Sequence, residues 1–372
     1  MHVLVAPDKF KGSLTAVEVA QRVTAGLRSV VPDVDVVELP VADGGDGTVD
    51  AAVAAGFDRV EITASGPTGE PVRTSYARRG DEAVVEMASV CGLVLLPGGR
   101  PAPLAASSYG LGEVVRAAAE AGAHRIVLGI GGSASTDGGA GFLQALGIRV
   151  DFRDGGPLAR GGRALAGVDS IDLDALPARL QDVELVVASD VGNPLCGPDG
   201  AAAVYGPQKG ATPAQVAELD TALARWADVV ARATGADRRD LPGAGSAGGV
   251  GFAAVAALGA TLRPGIDLVL ELIGFAAQLA GSRLVVTGEG ALDEQTLAGK
   301  APAGVACAAR AAGVPTVAVC GQNSLTAAVL AGAGIEAVYA LTDIEPDVAR
   351  CIAQAGPLLE LLGASVAKNH LS

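Results

Sequence analysis

Short runs of branched apolar residues recur along this 372-residue chain, and each is followed by a turn rich in glycine and aspartate and then by an alanine-rich amphipathic stretch. The runs are His2–Ala6, Val34–Leu39, Arg125–Gly129, Glu184–Ala188, Arg283–Thr287, Thr316–Cys320 and Glu336–Leu341. Continuous apolar strands that alternate with helices are typical of a mostly parallel sheet that is buried on both faces. The alternation therefore predicts an α/β fold.

One region breaks this rhythm and predicts a second domain. Residues 60–90 alternate between apolar and polar positions and carry proline and glycine at the turns, which is typical of antiparallel hairpins. The chain length also favours two or three domains of about 150 residues each. We therefore expect a discontinuous, Rossmann-like domain with a parallel sheet, formed by residues 1–63 and 281–372. A mixed-sheet α/β domain, residues 64–280, would be inserted in it, with the active site in the cleft between the two.

The composition excludes several classes of function. The formal net charge is −14 and aromatic residues make up 3% of the chain, so neither nucleic acid nor an anionic membrane surface is an expected partner. The three histidines do not cluster in the sequence, which argues against a His-based triad or metal site. Five cysteines without regular spacing, and a start without a targeting segment, predict a reduced, soluble, cytoplasmic protein. Two uncharged stretches, 241–262 and 311–335, are expected to be core segments rather than membrane spans.

Carboxylates follow the predicted strands, at the edge of an open α/β sheet where ligands bind. A single aspartate at such a position is more often a helix cap or an Asx turn. Several at one sheet edge would form an acidic rim suited to Mg²⁺ and to the activation of a hydroxyl group. The residues at these positions are Asp8, Asp43, Asp46, Asp137, Asp190, Glu289, Asp293 and Asp343.

Lysine is rare in this chain, and its placement is uneven. Of the five lysines, Lys9, Lys11, Lys209 and Lys300 lie in glycine-rich motifs. A compact ammonium group binds phosphate or carboxylate as a point charge. Each lysine alone is equally consistent with a solvated surface cation, but their shared placement beside loop glycines favours anion binding.

Two glycine-rich segments match dinucleotide fingerprints, and only one of them has a suitable context. Gly129–Gly141 leaves a predicted strand and leads into a helix, so its backbone N–H groups are candidates for cradling an anion, and its first six residues fit G-x-G-x-x-A. Gly243–Gly248 fits G-x-G-x-x-G but follows no strand. Neither a Walker A motif nor G-x-S-x-G occurs in the sequence. Acids, lysines and glycine-rich loops together indicate phosphoryl transfer assisted by Mg²⁺.

Five motifs, in the same order along the chain, resemble those of the bacterial glycerate kinase type I family. They are Ala6–Thr15, Val41–Thr48, Gly129–Gly141, Ser189–Leu195 and Thr287–Thr296 together with Gly299–Pro302. The motifs extend over essentially the whole chain. The sequence departs from the family pattern at Lys9, where serine is expected, at Asp46, where glutamate is common, and at Ser135–Thr136, where Thr-Asn is common.

The resemblance implies ATP-dependent, Mg²⁺-assisted phosphorylation of D-glycerate to 2-phosphoglycerate or 3-phosphoglycerate, by a monomer or homodimer. Its motifs imply catalytic roles for Asp190 as the base, for Lys11 and for Lys300. The substrate-binding residues would be Asp8, Lys11, Asp43, Gly44 and Asn193. The residues that bind the ATP phosphates would be Gly131, Gly132, Ser133, Ala134 and Ser135. The metal ligands would come from Asp137, Asp190, Glu289 and Asp293.

Two other functions remain open on the sequence alone. A nicotinamide-dependent oxidoreductase of a small hydroxy acid would use Gly129–Ala134 and a ribose-binding acid about 20 residues later, and Asp151 lies 17 residues after Ala134. A non-catalytic protein that binds sugar acids is the second alternative, although binding alone does not need so many acids at strand ends.

Overall fold

The computed structural model describes residues 1–153 and 156–371, which form two compact units. The strands are β1 (His2–Pro7), β2 (Val36–Glu38), β3 (Asp58–Ser65), β4 (Pro71–Arg79), β5 (Glu82–Glu86), β6 (Arg125–Gly129), β7 (Arg149–Phe152), β8 (Val168–Asp172), β9 (Glu184–Ala188), β10 (Thr261–Arg263), β11 (Ser282–Leu292), β12 (Thr316–Asn323) and β13 (Ala337–Ala340). The helices are α1 (Ala16–Val30), α2 (Thr48–Ala54), α3 (Ala88–Cys91), α4 (Tyr109–Glu120), α5 (Ala140–Ala145), α6 (Ala178–Gln181), α7 (Ala201–Tyr205), α8 (Pro213–Thr234), α9 (Val250–Leu258), α10 (Gly265–Leu272), α11 (Phe275–Leu279), α12 (Ala301–Ala311), α13 (Ala327–Gly332), α14 (Val348–Ala353) and α15 (Ala355–His370).

Unit 1 consists of residues 1–43, residues 50–56 and the chain from Gly265 onward. Its sheet is parallel and has the strand order β13-β12-β11-β1-β2. Strand β1 lies inside the sheet, with β2 on one side and β11 on the other. The strand order therefore reverses between β1 and β11, and this is the position at which open α/β sheets bind ligands.

The two faces of this sheet are both covered by helices, because successive side chains of a strand point in opposite directions. Val3 and Val5 belong to a core cluster that includes residues of α1 and α15, whereas Leu4 and Ala6 belong to one that includes residues of α10 and α12. This double burial explains why β1 is a continuous apolar run in the sequence.

Helix α1 begins at a capping box and ends against α15. The Thr15 hydroxyl accepts a hydrogen bond from the Glu18 N–H, and the Glu18 carboxylate accepts one from the Thr15 N–H. Such a box satisfies two N–H groups that have no partner within the helix. Farther along, a Cβ added at Gly26 would collide with the carbonyl oxygen of Glu360. The small residue therefore allows the backbones of α1 and α15 to approach closely.

Unit 2 consists of Gly44–Val49 and Phe57–Pro264. Its main sheet has the order β10-β9-β6-β5-β4-β3, in which the β3–β4 and β4–β5 pairs are antiparallel and the remaining pairs are parallel. Strands β7 and β8 form a separate antiparallel pair. The core contains the fully buried side chains of Phe142, Trp226 and Phe252. Unit 2 therefore has the mixed sheet that residues 60–90 predicted, and the α/β fold class is confirmed.

The boundaries of the units differ from the predicted domain boundaries in three places, one of which is the Gly44–Val49 segment of unit 2. Residues 58–63 lie in unit 2, because the whole of β3 pairs with β4. Residues 265–280 lie in unit 1, where Ile266 packs against Gly304 of α12. Helices α10 and α11 are separated at Gly274, whose φ of +68° is a conformation that favours glycine. The grouping into folding domains stays a prediction.

The length and apolar character of the helices decide whether any of them could cross a membrane. Within residues 1–153 and 156–371, none of them combines the length and the apolar character that crossing a bilayer requires.

Candidate active site

The first group of candidate residues lies at the carboxyl edge of the unit 1 sheet, where its strand order reverses. Asp8 directly follows β1, and its N–H donates to the carbonyl of Gly288 in β11 at 2.8 Å. The Asp8 side chain is buried, and this burial raises its pKa to about 7. Lys9 opposes the shift in pKa, whereas the charges of Asp43 and Glu289 add to it. Three carboxylates therefore repel one another at this edge.

Glu289 is held at this edge by two polar neighbours. The Thr296 hydroxyl donates to Glu289 Oε1 at 2.6 Å, and Lys300 Nζ lies 3.8 Å from Glu289 Oε2. Burial raises the pKa of Glu289, while the Thr296 hydrogen bond and the Lys300 charge lower it. The Asp293 carboxylate accepts hydrogen bonds from the N–H groups of Gln295 and Thr296. Asp293 thereby shapes the turn that carries Thr296 towards Glu289.

Lys11 belongs to the same edge through its backbone. A Cβ built on Gly290 would lie 3.5 Å from the Lys11 nitrogen, so the chain after β1 passes directly over the end of β11. The Lys11 side chain is exposed. The structure thus brings together the predicted unit 1 residues Asp8, Lys11, Asp43, Glu289, Asp293 and Lys300.

A cavity of about 830 Å³ lies beside these residues. Its walls include Asp293, Gln295 and Leu297 on one side and Leu325 and Thr326, which follow β12, on the other. Small-molecule sites are typically concave, of this size and lined by apolar residues with a few polar groups. The edge therefore offers both charge and a concave apolar surface.

The second group lies at the carboxyl edge of the unit 2 sheet. Gly129, the last residue of β6, pairs with Glu86 of β5 on one side and with Ala188 of β9 on the other. The glycine-rich loop that follows β6 and the Ser189–Asp190 segment that follows β9 therefore leave neighbouring strands in register. Asp190 is exposed.

The Gly44–Val49 segment packs directly on this loop. A Cβ on Gly129 would lie 2.7 Å from the Gly44 carbonyl oxygen, and one on Gly131 would lie 2.8 Å from Gly45 Cα. The Glu86 carboxylate accepts hydrogen bonds from the N–H groups of Gly47 and Val49, at 2.9 and 3.2 Å. The glycines of both motifs are needed because the two backbones touch.

Asp137 has a different environment from the one expected of a metal ligand. Its carboxylate is buried and accepts hydrogen bonds from the Ser107 hydroxyl, from the N–H and hydroxyl of Ser108, and from the Gly139 N–H. These bonds join the loop to the start of α4. The environment argues against the predicted metal role, because the carboxylate oxygens already have protein donors.

Asn193 also has its side chain committed within unit 2. The Tyr205 hydroxyl donates to Asn193 Oδ1 at 2.6 Å, and Asn193 Nδ2 donates to the Asp199 carbonyl at 2.8 Å. The amide therefore organises the 193–205 segment. Substrate binding by Asn193 has little support, because both ends of its amide are in use.

Lys209 is the residue of this group that the sequence interpretation did not include among the site residues. It is 2% exposed, and its Nζ donates to Ser133 Oγ at 2.8 Å and to the Ser135 carbonyl at 2.5 Å. Burial lowers the pKa of Lys209 to about 7, and the charge of Asp137 opposes that shift. The available signal was its place in the glycine-rich motif Gly206–Gly210.

The second glycine-rich fingerprint, Gly243–Gly248, supports the loop instead of binding a dinucleotide. The Gly248 carbonyl accepts a hydrogen bond from the Gly138 N–H at 2.9 Å, and a Cβ on Gly248 would collide with the Ser135 carbonyl oxygen. Next to it, Ala247 has a φ of +52°, in the left-handed region that L-residues rarely adopt. The segment is thus pressed against residues 135–138.

Comparison with known proteins identifies the family. The model of the Glycerate kinase family matches residues 3–371 of this chain. The chain belongs to this family. The Bacillus subtilis glycerate kinase is 46% identical over 92% of this chain and 90% of its own length, and the Escherichia coli glycerate 2-kinase is 43% identical over 92% and 90%. The crystal structure of a Salmonella typhimurium LT2 protein assigned as glycerate kinase 2 covers 99% of this chain and 98% of that chain, with 41% identity and a TM-score of 0.87.

Membership of the glycerate kinase family confirms the predicted enzyme class. The chain is a phosphotransferase, so the kinase prediction holds over the oxidoreductase and the non-catalytic alternatives. A kinase family also implies ATP as the co-substrate. The anion-cradling interpretation of Gly129–Gly141 is consistent with that donor.

The acids of unit 1 do not form a closed metal cage. Residues 1–153 and 156–371 contain no group of three or more His, Cys, Asp and Glu side chains arranged to hold a metal ion. Kinases usually bind Mg²⁺ through one or two carboxylates, with substrate phosphates and water completing the coordination. Burial raises the pKa of Asp8, the charges of Asp43 and Glu289 add to the shift, and a divalent cation would relieve that added repulsion. The acids of unit 1 therefore fit a Mg²⁺ ion that is shared with the substrates.

Proposed function

We propose that this enzyme transfers the γ-phosphoryl group of ATP to D-glycerate and forms 2-phosphoglycerate, with 3-phosphoglycerate as the other possible product. The observation that carries the proposal is the convergence of Asp8, Glu289 and Lys300 at the edge of unit 1 where strand order reverses, in a chain of the glycerate kinase family. Acids and a lysine in such a position suit a reaction that depends on positioning and charge neutralisation.

The ATP phosphates are assigned to the loop Gly131–Ser135. Gly132 has a φ of +72°, which lets the backbone turn sharply there. Ser135 Oγ and Thr136 Oγ1 are buried hydroxyls for which the described residues supply no hydrogen-bond partner. A phosphate oxygen would satisfy such donors. The buried Lys209 Nζ also donates to two residues of this loop, to Ser133 Oγ and to the Ser135 carbonyl.

Asp190 is assigned as the base. Its place after β9, in register with the strand that leads into the phosphate loop, supports this role. In the reaction, the glycerate hydroxyl oxygen bonds to the γ-phosphorus as the bond from that phosphorus to the β,γ-bridging oxygen breaks. The hydroxyl proton passes to the Asp190 carboxylate, and ADP leaves with the bridging oxygen.

The unit 1 residues are assigned to substrate, metal and phosphoryl group. Asp8, Lys11 and Asp43 are the candidates for holding D-glycerate, together with Gly44, which follows Asp43 in the chain and belongs to unit 2. Lys300 is the candidate for neutralising charge on the transferring phosphoryl group, and its Nζ, 3.8 Å from Glu289 Oε2, supports that assignment.

Glu289 and Asp293 are the candidates for holding Mg²⁺, and Asp190 is a further one. When bound, Mg²⁺ neutralises charge on the phosphates. Lys300 and Thr296 would keep the Glu289 carboxylate oriented for that contact.

Phosphorus NMR of the product made from D-glycerate and MgATP tests the proposal. We expect ADP and a phosphomonoester whose resonance coincides with that of added 2-phosphoglycerate. A signal that matches 3-phosphoglycerate would change the regiochemistry and leave the kinase assignment intact. Absence of ADP and of any phosphomonoester with active, folded protein would overturn the substrate.

A thermal-shift experiment tests ATP as the nucleotide that this enzyme binds. A kinase is expected to melt at a higher temperature with MgATP and at an unchanged temperature with NADH, because only a ligand that binds the folded protein stabilises it. An unchanged melting temperature with MgATP would contradict ATP as the phosphoryl donor. Cytoplasmic localisation and a monomeric or homodimeric state stay predictions, and size-exclusion chromatography with light scattering tests the second.

A further inference from the structure

Lys209 is buried at a place where its charge is costly. The side chain is 2% exposed, and burial of a lysine disfavours its charged form, which lowers its pKa to about 7. An apolar residue of similar length would fill the same space without that cost. Stability of the fold therefore does not explain why a lysine occupies this position.

The two hydrogen bonds of Lys209 both go to the loop assigned to ATP. Its Nζ donates to Ser133 Oγ at 2.8 Å and to the Ser135 carbonyl at 2.5 Å, across 76 and 74 residues of chain. The opposite side of the loop is fixed by backbone bonds, from the Ala134 N–H to the Cys91 carbonyl and from the Leu93 N–H to the Gly132 carbonyl. Lys209 supplies the only charged donor among these contacts.

The chemistry of the ammonium group determines the polarity of Ser133. A lysine ammonium has donors and no acceptor, whereas a serine hydroxyl both donates and accepts. In the protonated form of Lys209, Ser133 Oγ must therefore accept from Nζ, and the Ser133 hydrogen remains available to donate to another group. A phosphate oxygen accepts hydrogen bonds only, so it is the complement of a hydroxyl oriented in this way.

We propose that Lys209 is a positioning residue for the donor nucleotide: it fixes the Ser133–Ser135 turn and orients the Ser133 hydroxyl as a donor to an ATP phosphate. The inference rests on the proposed role of the Gly131–Ser135 loop. Lys209 acts through Ser133 and Ser135, and the substrate it affects is ATP rather than D-glycerate.

Steady-state kinetics of Lys209→Met test the proposal. We expect KM for ATP to rise about 10- to 100-fold and kcat to fall, because displacing a bound phosphate by about 1 Å costs up to 10²-fold. KM for D-glycerate should stay within about twofold. A rise confined to KM for D-glycerate, or no change in either constant, would overturn the proposal.

A matched control separates positioning from general loss of stability. Arg225 of α8 is, like Lys209, a cation of unit 2 that donates to a backbone carbonyl. Its Nε donates to the Val168 carbonyl at 2.8 Å, and neither Arg225 nor Val168 belongs to the proposed site. Arg225→Met should leave both KM values unchanged. If it shifted KM for ATP as much as Lys209→Met, the effect would be unspecific and the proposal would be wrong.

A double-mutant cycle with Ser133→Ala tests the route of the effect. If Lys209 acts through the Ser133 hydroxyl, Lys209→Met should raise KM for ATP much less in the Ser133→Ala background than in the wild type. Full additivity of the two effects would contradict the proposed orientation of Ser133.

A second substitution keeps the test decisive if Lys209→Met does not fold. Lys209→Gln removes the charge and keeps an N–H₂ donor, so it should retain part of the ATP affinity, measured as KM and by titration calorimetry with ADP. The proposal would be overturned if Lys209→Gln kept the wild-type KM for ATP and its effect simply added to that of Ser133→Ala. Failure of the wild type to bind ADP or ATP would instead refute the proposed function of the loop.

Discussion

Two buried ionisable side chains of opposite charge, Asp8 in unit 1 and Lys209 in unit 2, lie at the carboxyl edges of the two sheets and can be compared. Asp8 in unit 1 has a pKa raised to about 7 by burial, with Asp43 and Glu289 adding to the shift. Lys209 in unit 2 has a pKa lowered to about 7 by burial, with Asp137 opposing the shift. Asp8 is therefore surrounded mostly by like charge, whereas Lys209 is bonded to neutral oxygens of one loop.

The difference indicates which ligand charge each edge favours. Cations relieve the repulsion among the acids of unit 1, so this edge suits a metal ion and ammonium groups. The unit 2 edge combines a buried ammonium with a glycine-rich turn and suits an anion. The comparison explains how one chain with a net charge of −14 can bind a nucleoside triphosphate.

Replacement of Asp190 should produce the largest effect, because it removes the proposed base from the unit 2 edge. We expect Asp190→Asn to lower kcat by about 10²- to 10⁴-fold, with the free energy of unfolding changed by less than about 0.5 kcal/mol since the residue is exposed. The matched control is Asp182→Asn, an exposed aspartate near the other end of β9, which should keep wild-type kcat. Near wild-type turnover by Asp190→Asn would move the base elsewhere.

Removal of the Lys300 charge should have the next largest effect and tests the unit 1 edge. Lys300→Met should lower kcat by about 10²- to 10³-fold, as expected for the loss of one group that stabilises transition-state charge. Lys368→Met, an exposed lysine of α15, is the control. If kcat were unchanged and only KM for D-glycerate rose, Lys300 would bind substrate and not the transferring group.

The stability of unit 1 should fall as pH rises through the titration of Asp8. The pKa of Asp8 is about 7 in the folded protein, against an ordinary value of 3.8. Between these two pH values the folded protein holds the proton and the unfolded chain does not, so the free energy of unfolding falls as pH rises through this range. Asp8→Asn should therefore gain about 3 kcal/mol of stability relative to wild type between pH 5 and pH 8. Urea unfolding at both pH values measures this, and equal pH slopes for the two proteins would contradict it.

The pH dependence from Lys209 should have the opposite sign. The unfolded chain binds this proton more tightly between pH 7 and the ordinary lysine pKa of 10.5, so the stability of the wild type rises with pH in that range. We expect this contribution to be about 2 kcal/mol between pH 7 and pH 9 and to be lost in Lys209→Met. Unfolding curves of wild type and variant at the two pH values measure it, and parallel slopes would show that Lys209 does not titrate as expected.

Much of the fold could be predicted because its determinants are local. Strands β6 and β9 match the predicted apolar runs residue by residue, and α1 begins where its capping box indicates. The acids after β1 and within β11 could be expected at one edge, since parallel strands end on the same side. Their individual roles remain predictions.

The parts of the site that could not be predicted depend on contacts between distant residues. The donors that surround Asp137 come from Ser107 and Ser108, about 30 residues earlier, and Lys209 reaches back 76 residues to Ser133. Neither pairing leaves a periodic signal in the sequence. The same holds for Gly243–Gly248, where the match to a dinucleotide fingerprint reflects close backbone packing.

Lys9 offers the finest test of the comparison, because it is the cation that opposes the charge on Asp8. The resemblance to the type I family predicts serine at this position, so Lys9→Ser introduces the residue of the family pattern. The variant should raise the pKa of Asp8 further, and the free energy change should be only about 0.2–1 kcal/mol, as for a partly exposed ion pair. The free energy of unfolding is measured against pH for each protein with and without Asp8→Asn, at low and at high salt. The midpoint of the difference between the two curves reports the pKa of Asp8. Because salt screens such pairs, the effect should shrink at high ionic strength. An effect that persists there would contradict a charge effect of Lys9, since the N–H of residue 9 that donates to Asp8 Oδ1 is present in both proteins.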